Sequence, residues 1–370
     1  MKAFRKLAAL VLAGALCMST FTGCGINPEE TAATLGEEKV SLGLVNFIAK
    51  YQKATMDDLY VGYFGKDVWD ADMTGSGTTL QENLLDSVVA SLHDLYTLKQ
   101  HMSDYKVELS ADDEKAIKDA AAKFMADNSK EAIKELGATE ELVVEMLTLY
   151  TIQSHMYDAI IVDTDREVKD EDANMRGFSY IAIDPEGRMV DGKYTKYTDD
   201  ELTALMEKIN KIGESLKNGS TLEDIAKEYD YEVEEGAYAT KGTDESVDEE
   251  LLDEMKDLKE GETSSLIKGA DDMFYFARID ADTDEEATEE NREAIITERE
   301  GELYTEVLEK WQKGDDWKVN ESVVKKIDFH HFFTQDDGST EKESGTEKES
   351  GTEKESGTEK TSEKESETAK

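Results

Sequence analysis

Proline occurs at only two positions in 370 residues, 28 and 185. Inside a helix proline removes a hydrogen bond and clashes with the preceding turn, so a chain almost free of it can run long helices with few interruptions. The apolar spacing predicts such helices. Leu84, Leu85, Val88, Val89, Leu92, Leu95 and Tyr96 fall on one helical stripe. Ser110 stands where an N-cap belongs, with Asp112, Asp113 and Glu114 in the first turn of a helix that buries Ile117, Ala121, Phe124 and Met125. Gly137 supplies a stop and Thr139 the next cap, for a helix carrying Leu142, Met146, Leu149, Tyr150, Gln153, Met156, Tyr157 and Ile160. Residues 42–162 therefore read as a helical domain. A short strand, a turn at Gly36 and a second strand at Lys39 to Ser41 introduce it, and a spacer with Trp69 and a flexible TGSGT lies within it.

After DTDREVKDEDANM, residues 163–175, the pattern changes. RGFSYIAI, residues 176–183, alternates as a strand does and closes at Asp184-Pro185. A helix from about Asp199 to Lys217 follows, carrying Leu202, Leu205, Met206, Ile209, Ile212 and Leu216. Then come a loop and short helix in NGSTLEDIAKEYD, the helical VDEELLDEMKDL, a turn at KEGETSS, and the strand pair SLIKG and MFYFARID. Thr288 is placed to cap a last long helix with Ile295, Ile296, Leu303, Tyr304, Val307, Leu308 and Trp311. The expected fold class is α+β: a mainly helical unit, a small αβ insert and a returning C-terminal helix.

The two ends have compositions of their own. MKAFRK carries Lys2, Arg5 and Lys6 ahead of a short apolar run, which reads as a secretory signal rather than a membrane span. The only cysteines are Cys17 within that run and Cys24 just after it, so no disulfide is expected in a processed chain. Phe21-Thr22-Gly23-Cys24 resembles the bacterial lipobox, which implies that Cys24 is acylated and becomes the N-terminus; Leu16 before Cys17 does not fit. Acyl chains there would hold the protein at the outer face of a membrane. At the other end ESGTEK repeats in phase from Glu343 through Lys360, and almost no apolar residue occurs from Gly338 onward. Such a segment cannot offset its ordering entropy by burial, and disorder is expected from about residue 334.

The formal net charge is −45. A surface this acidic repels phosphate and argues against nucleic acid as a partner; it favours basic polypeptides or envelope cations, or serves solubility alone. DTDREVKDEDAN and DADTDEEATEEN lack the central glycine and closing glutamate of a calcium loop, having Val168 or Glu285 and Asn174 or Asn291 at those places. His330-His331 has no second ligand pair. No metal and no cofactor is expected.

The order of these segments resembles the exported foldases of the PrsA and SurA-like class, and the insert resembles a parvulin-type prolyl isomerase. LKNGSTLEDIAKEY, residues 216–229, resembles the family's LK-x-G-x-x-F-x-x-LAKEYS; LKEGETS, residues 258–264, resembles L-x-x-GE-x-S; MFYFARI, residues 273–279, resembles the closing strand GYHIIKV; and FSYIAI resembles SHILV. Together these cover Arg176 to Asp280. The implied division is a lipoprotein signal at 1–23, a helical foldase domain at 24–170, a parvulin-like domain at 171–283, a C-terminal helix packing on the helical domain at 284–333, and the tail at 334–370.

Parvulins speed rotation about the X-Pro bond, a barrier of about 18–20 kcal/mol, with an apolar pocket for the ring and polar groups that favour the twisted amide. In the family two histidines and a Cys or Asp supply the polar groups. Here the resemblance sets Tyr180 at the first histidine position, Tyr275 at the second with Phe274 as the alternative, and Glu232 near the third. Leu251 and Met255, with Phe274, fall at the proline pocket. The insert contains no histidine; all five, at 93, 101, 155, 330 and 331, lie outside it. Two tyrosines can still hydrogen-bond each other across the sheet, which would preserve structure without the original proton arrangement. The resemblance implies a membrane-anchored, extracytoplasmic chaperone for unfolded or partly folded exported polypeptides, with weak or absent isomerase activity. Two alternatives stand beside it: an active isomerase with a tyrosine site, and an acidic envelope scaffold lipoprotein.

Overall fold

The computed structural model describes residues 26–190, 192–241 and 247–330, and the backbone of Leu16–Cys17, which pairs antiparallel with Thr334–Gln335. Cys24, His331 and the repeats from Glu343 onward lie outside the described residues. The fold is α+β and mainly helical.

The helical part opens on a hairpin, β1 (Thr31–Leu35) and β2 (Glu38–Ser41), turned at Gly36 with φ 61°. Then come α1 (Leu42–Phe64), α2 (Leu80–Gln100), α3 (Ala111–Asp127), α4 (Lys130–Leu136) and α5 (Glu140–Ile160). The helices begin where the sequence puts caps. Ser110 Oγ accepts from the Asp113 amide while Asp113 reaches back to the Ser110 amide, and Thr79 with Glu82 makes the same reciprocal box for α2. Thr139 caps α5. Each such cap is worth about 0.5–2 kcal/mol. The TGSGT stretch, expected to be flexible, is folded around Asp72. Its carboxylate accepts backbone N–H groups from Thr74 at 3.2 Å, Gly75 at 2.7 Å, Ser76 at 3.2 Å and Gly77 at 2.8 Å.

The insert is a four-stranded antiparallel sheet with the order β6–β3–β8–β7, built from β3 (Met175–Ile183), β6 (Glu234–Ala239), β7 (Ile267–Lys268) and β8 (Phe274–Ala281). A small hairpin, β4 (Gly187–Val190) with β5 (Lys193–Lys196), leads into α6 (Asp199–Lys217) and α7 (Leu222–Tyr229). Helix α8 (Glu249–Met255) precedes β7. Both β6 and the β4–β5 hairpin fall in segments where the sequence shows no clear helix or strand period. Strand alternation divides the core in two. Phe178, Tyr238, Tyr275, Ala277 and Ile279 pack with α8 on one face; Ile181, Ile183 and Phe276 pack with α6 and α7 on the other.

The chain then returns through α9 (Glu285–Gln312). Its N-cap is Asp284, not Thr288. Thr288 lies one turn in, where its hydroxyl accepts from the Met175 amide at 3.0 Å and ties the helix to the start of β3. Leu308 joins Leu98, Ile152, Met156 and Ile160 in one buried cluster, with Leu303, Val307 and Trp311 packed against it. Beyond α9, β9 (Trp317–Val319) pairs antiparallel with β1, so the first and last segments of the helical part share a three-stranded sheet. Phe329, 1% exposed, ends this return edge-on to Trp69, ring centroids 5.4 Å apart.

Candidate functional site

On β3 the residues 178, 180 and 182 share a face, and on β8 the residues 275, 277 and 279 share the same one. The register sets Tyr180 opposite Ala277 and Ala182 opposite Tyr275. Each ring therefore faces a methyl group, and the two tyrosines lean toward one another on the diagonal, centroids 5.9 Å apart and planes at 60°. Phe178 stacks on Tyr180 at 5.7 Å and meets Tyr238 at 5.9 Å, which continues the aromatic row toward β6. Gly236 faces Phe178 across that pair; a Cβ there would lie 2.8 Å from the ring, so the close approach requires glycine.

The hydroxyls do not bond each other, although the residue pair would allow it. Tyr180 Oη donates to Glu234 Oε2 at 2.8 Å, and Tyr275 Oη donates to Asp271 Oδ2 at 2.5 Å. Burial and the Glu234 carboxylate raise the Tyr180 phenol to about 12. Burial, Asp271 and Asp248 raise Tyr275 as well. The mechanism is the same in both: a phenolate would be less solvated and would face a negative neighbour, so the protonated donor is favoured. Asp248 is fixed in place, its Oδ1 capping α8 through the Leu251 amide at 3.2 Å and its Oδ2 accepting from the Ala270 amide at 2.9 Å.

Glu232 lies exposed, two residues before the carboxylate that Tyr180 reaches. Glu234 is not among the residues to which the family resemblance points; the alternation Glu234, Gly236, Tyr238 in its strand is the sequence signal for it. Asp271, four residues before Tyr275, sits in the tight turn that joins β7 to β8, where no helical or strand period marks it. Leu251 and Met255, 3% and 0% exposed, sit on the tyrosine face as packed core floor rather than open lining. Phe274 points to the other face, against the α6–α7 cluster. It cannot line a pocket with Leu251 and Met255 or replace Tyr275 beside Tyr180, because adjacent strand residues face opposite ways.

The described histidines serve elsewhere. His93 stacks on Trp317 at 4.6 Å with Asp315 on its Nε2, and the C-cap of α2, His101, stacks on Trp311 at 4.1 Å with Asp104 on its Nδ1. Both hold the returning C-terminal segment to α2. Chemically, the tyrosine face offers two neutral donors already engaged by carboxylates over an apolar floor. General acid–base work near neutrality needs a group that exchanges its proton there, and a phenol held near 12 exchanges its proton far above that range.

Among the described residues no group of three or more His, Cys, Asp or Glu is arranged to hold a metal ion, and no helix is long and apolar enough to cross a membrane.

No protein-family model matches the chain, and no curated protein sequence matches it. Solved structures do show likeness. The peptidylprolyl isomerase PrsA of Bacillus cereus is 17% identical over 70% of this chain and 97% of its own, with a TM-score of 0.33. The foldase PrsA of Streptococcus pneumoniae is 15% identical over 71% and 99%, with a TM-score of 0.30. A structure from work on two SurA-like chaperones of Campylobacter jejuni is 12% identical over 78% and 98%, with a TM-score of 0.26.

Proposed function

We propose that this protein is an exported foldase of the chaperone type. In this reading it is anchored through acylated Cys24 at the outer face of a bacterial cell membrane, and it holds unfolded or partly folded exported polypeptides while they fold. Its parvulin-like insert has little or no isomerase activity. The observation that carries the reading is the tyrosine face. Tyr180 and Tyr275, which stand where the resembled family has histidines, share one side of the sheet above Leu251 and Met255, yet each hydroxyl is committed to a carboxylate. That supports a retained framework whose proton arrangement has changed.

The charge supports the choice of client. A surface with net charge −45 attracts basic unfolded chains over distances of about a Debye length, about 8 Å at physiological salt, and repels nucleic acid. Removal of the signal before Cys24 would also remove the Leu16–Cys17 side of its pairing with Thr334–Gln335.

Two assays on one preparation test the proposal: suppression of aggregation of a basic unfolded protein, and protease-coupled turnover of a prolyl peptide. Suppression with turnover at the uncatalysed rate is expected. Robust turnover that disappears in Tyr180→Phe would make the insert an enzyme with a tyrosine site. Failure in both assays would leave an envelope scaffold.

A further inference from the structure

Helix α1 outruns its own core. Its buried residues lie between Leu42 and Asp57, and none of residues 58–64 is buried. That projecting end is not polar. Leu59, Tyr63 and Phe64 are 56%, 79% and 59% exposed. They continue an aromatic series that starts in the interior: Trp69 packs on Tyr60 at 5.9 Å, Tyr60 on Phe64 at 6.3 Å, and Phe64 on Tyr63 at 6.4 Å. Leu59, Gly62 and Tyr63, with Asp58, line a shallow concavity on the outer side of the helix. Clustered apolar exposure of this kind marks an interaction surface.

Gly62 adds a second observation. Glycine is the poorest helix former after proline, and a Cβ at this position would meet nothing within 4 Å. The fold itself does not ask for it, and because Gly62 lines the apolar concavity the missing side chain leaves room there for a partner backbone.

The charges around the patch specify the partner. Asp58 is at its edge, and the chain after the helix carries the exposed carboxylates of Asp67, Asp70 and Asp72, with Lys66 the only basic residue between positions 58 and 72. The last turn of α1 holds no basic side chain, so the negative end of the helix dipole is not complemented from within. A second copy of the chain would bring another strongly acidic surface, and the C-terminal repeats carry almost no apolar side chain to fill the concavity.

We propose that the end of α1, from Leu59 to Phe64, is a docking site for an extended polypeptide segment in which aromatic or aliphatic side chains are flanked by Lys or Arg. The proposal rests on the chaperone reading above and locates the contact that the reading leaves open. The apolar side chains seat between Leu59, Tyr63 and Phe64 over Gly62, and the basic ones face the aspartates.

The test uses the full chain and a fluorescent, unstructured peptide with a central Phe-Leu pair between Lys and Arg residues, followed by anisotropy. A Leu59→Ser/Tyr63→Ser variant is expected to bind it roughly tenfold or more weakly, as for loss of interface hot spots. These side chains are exposed, so the fold is retained. Gly62→Ala is expected to weaken binding, whereas Gly301→Ala, the same change at a second helical glycine with open space around it, leaves binding unaltered. The same peptide with Glu in place of Lys and Arg is expected to bind poorly. Equal binding by wild type and the Leu59/Tyr63 variant would overturn the site while leaving the chaperone reading intact. Equal binding of the acidic peptide would overturn the class of partner. Self-association lost in the same variant would assign the patch to a second copy instead. Failure of the wild type both to bind the peptide and to suppress aggregation would remove the chaperone reading itself.

Discussion

Lys53 and Asp57 form an ion pair one turn apart on α1, at 2.6 Å, with each side chain only 1% exposed. Trp69 Nε1 donates to the same carboxylate at 2.8 Å, and the ammonium lies 5.4 Å from the Trp69 ring and 5.9 Å from that of Phe329. A charged pair is thus enclosed by an aromatic from the loop after α1 and another from the far C-terminus. Breaking such a pair leaves a buried charge without its partner, whereas replacing both members by apolar groups does not. Asp57→Ala is therefore expected to lower stability by about 3–5 kcal/mol. Lys53→Met/Asp57→Leu is expected to recover much of that, short of the bond lost by Trp69. Urea unfolding of the wild type and the two variants gives the comparison; a double variant no more stable than Asp57→Ala would contradict it.

Phe329 closes this cluster from the segment that follows β9. Its truncation to alanine leaves a cavity beside Trp69 and is expected to cost about 3–5 kcal/mol. Because β9 pairs with β1 and Ile327 O accepts from Gln81 Nε2 at 3.1 Å, the loss is expected to appear in the single unfolding transition of the helical part, not as local fraying. A variant with unchanged urea midpoint would show that the C-terminal return is dispensable.

Tyr180 is expected to titrate abnormally. Its folded value of about 12 lies above the ordinary 10.0, so the fold favours the protonated phenol. The stabilisation is complete below pH 10 and is lost as the pH rises from there toward 12. NMR of ring-labelled tyrosine, assigned with Tyr180→Phe, reads the midpoint. Glu234→Gln should move it toward the ordinary value. No movement would mean that burial alone sets it.

Glu223 gives the opposite sign. Arg278 donates to both of its oxygens at 2.9 Å and joins α7 to β8, and this holds the carboxyl at about 2, below the ordinary 4.5. Its contribution is present above pH 4.5 and lost as the pH falls from there toward 2. Glu223 is solvent-exposed, so at neutral pH Glu223→Gln is expected to cost only about 0.2–1 kcal/mol. Its stability curve should converge with that of the wild type in acid. A difference that persists at pH 2 would assign the loss to packing.

Cys24 is expected to be the acylated N-terminus. Mass spectrometry of membrane fractions should find the lipid-modified peptide, and Cys24→Ala should shift the protein out of the membrane fraction. Unchanged partition in that variant would remove the anchor from the proposal.

What the sequence alone determined is what depends on neighbours within a turn or two. Ser110 and Thr139 cap helices because a cap is settled by residues three apart, and the alternation of FSYIAI fixes which of its side chains share a face. The same period separates Phe274 from Tyr275 once a strand is granted. The tertiary structure decided what joins residues distant in the chain. Glu234 stands opposite Tyr180 only because β6 pairs with β3 across 54 residues, and its carboxylate, not the second tyrosine, accepts the phenolic hydrogen bond. Trp317 meets Leu35 because the C-terminal strand closes the N-terminal hairpin. Helix periodicity marked Met146 and Met156 as apolar, but only packing showed them to be buried core, while Tyr63 and Phe64, on the same kind of stripe, stand in solvent. A period says which residues share a face, and burial follows from whether another element arrives to cover it.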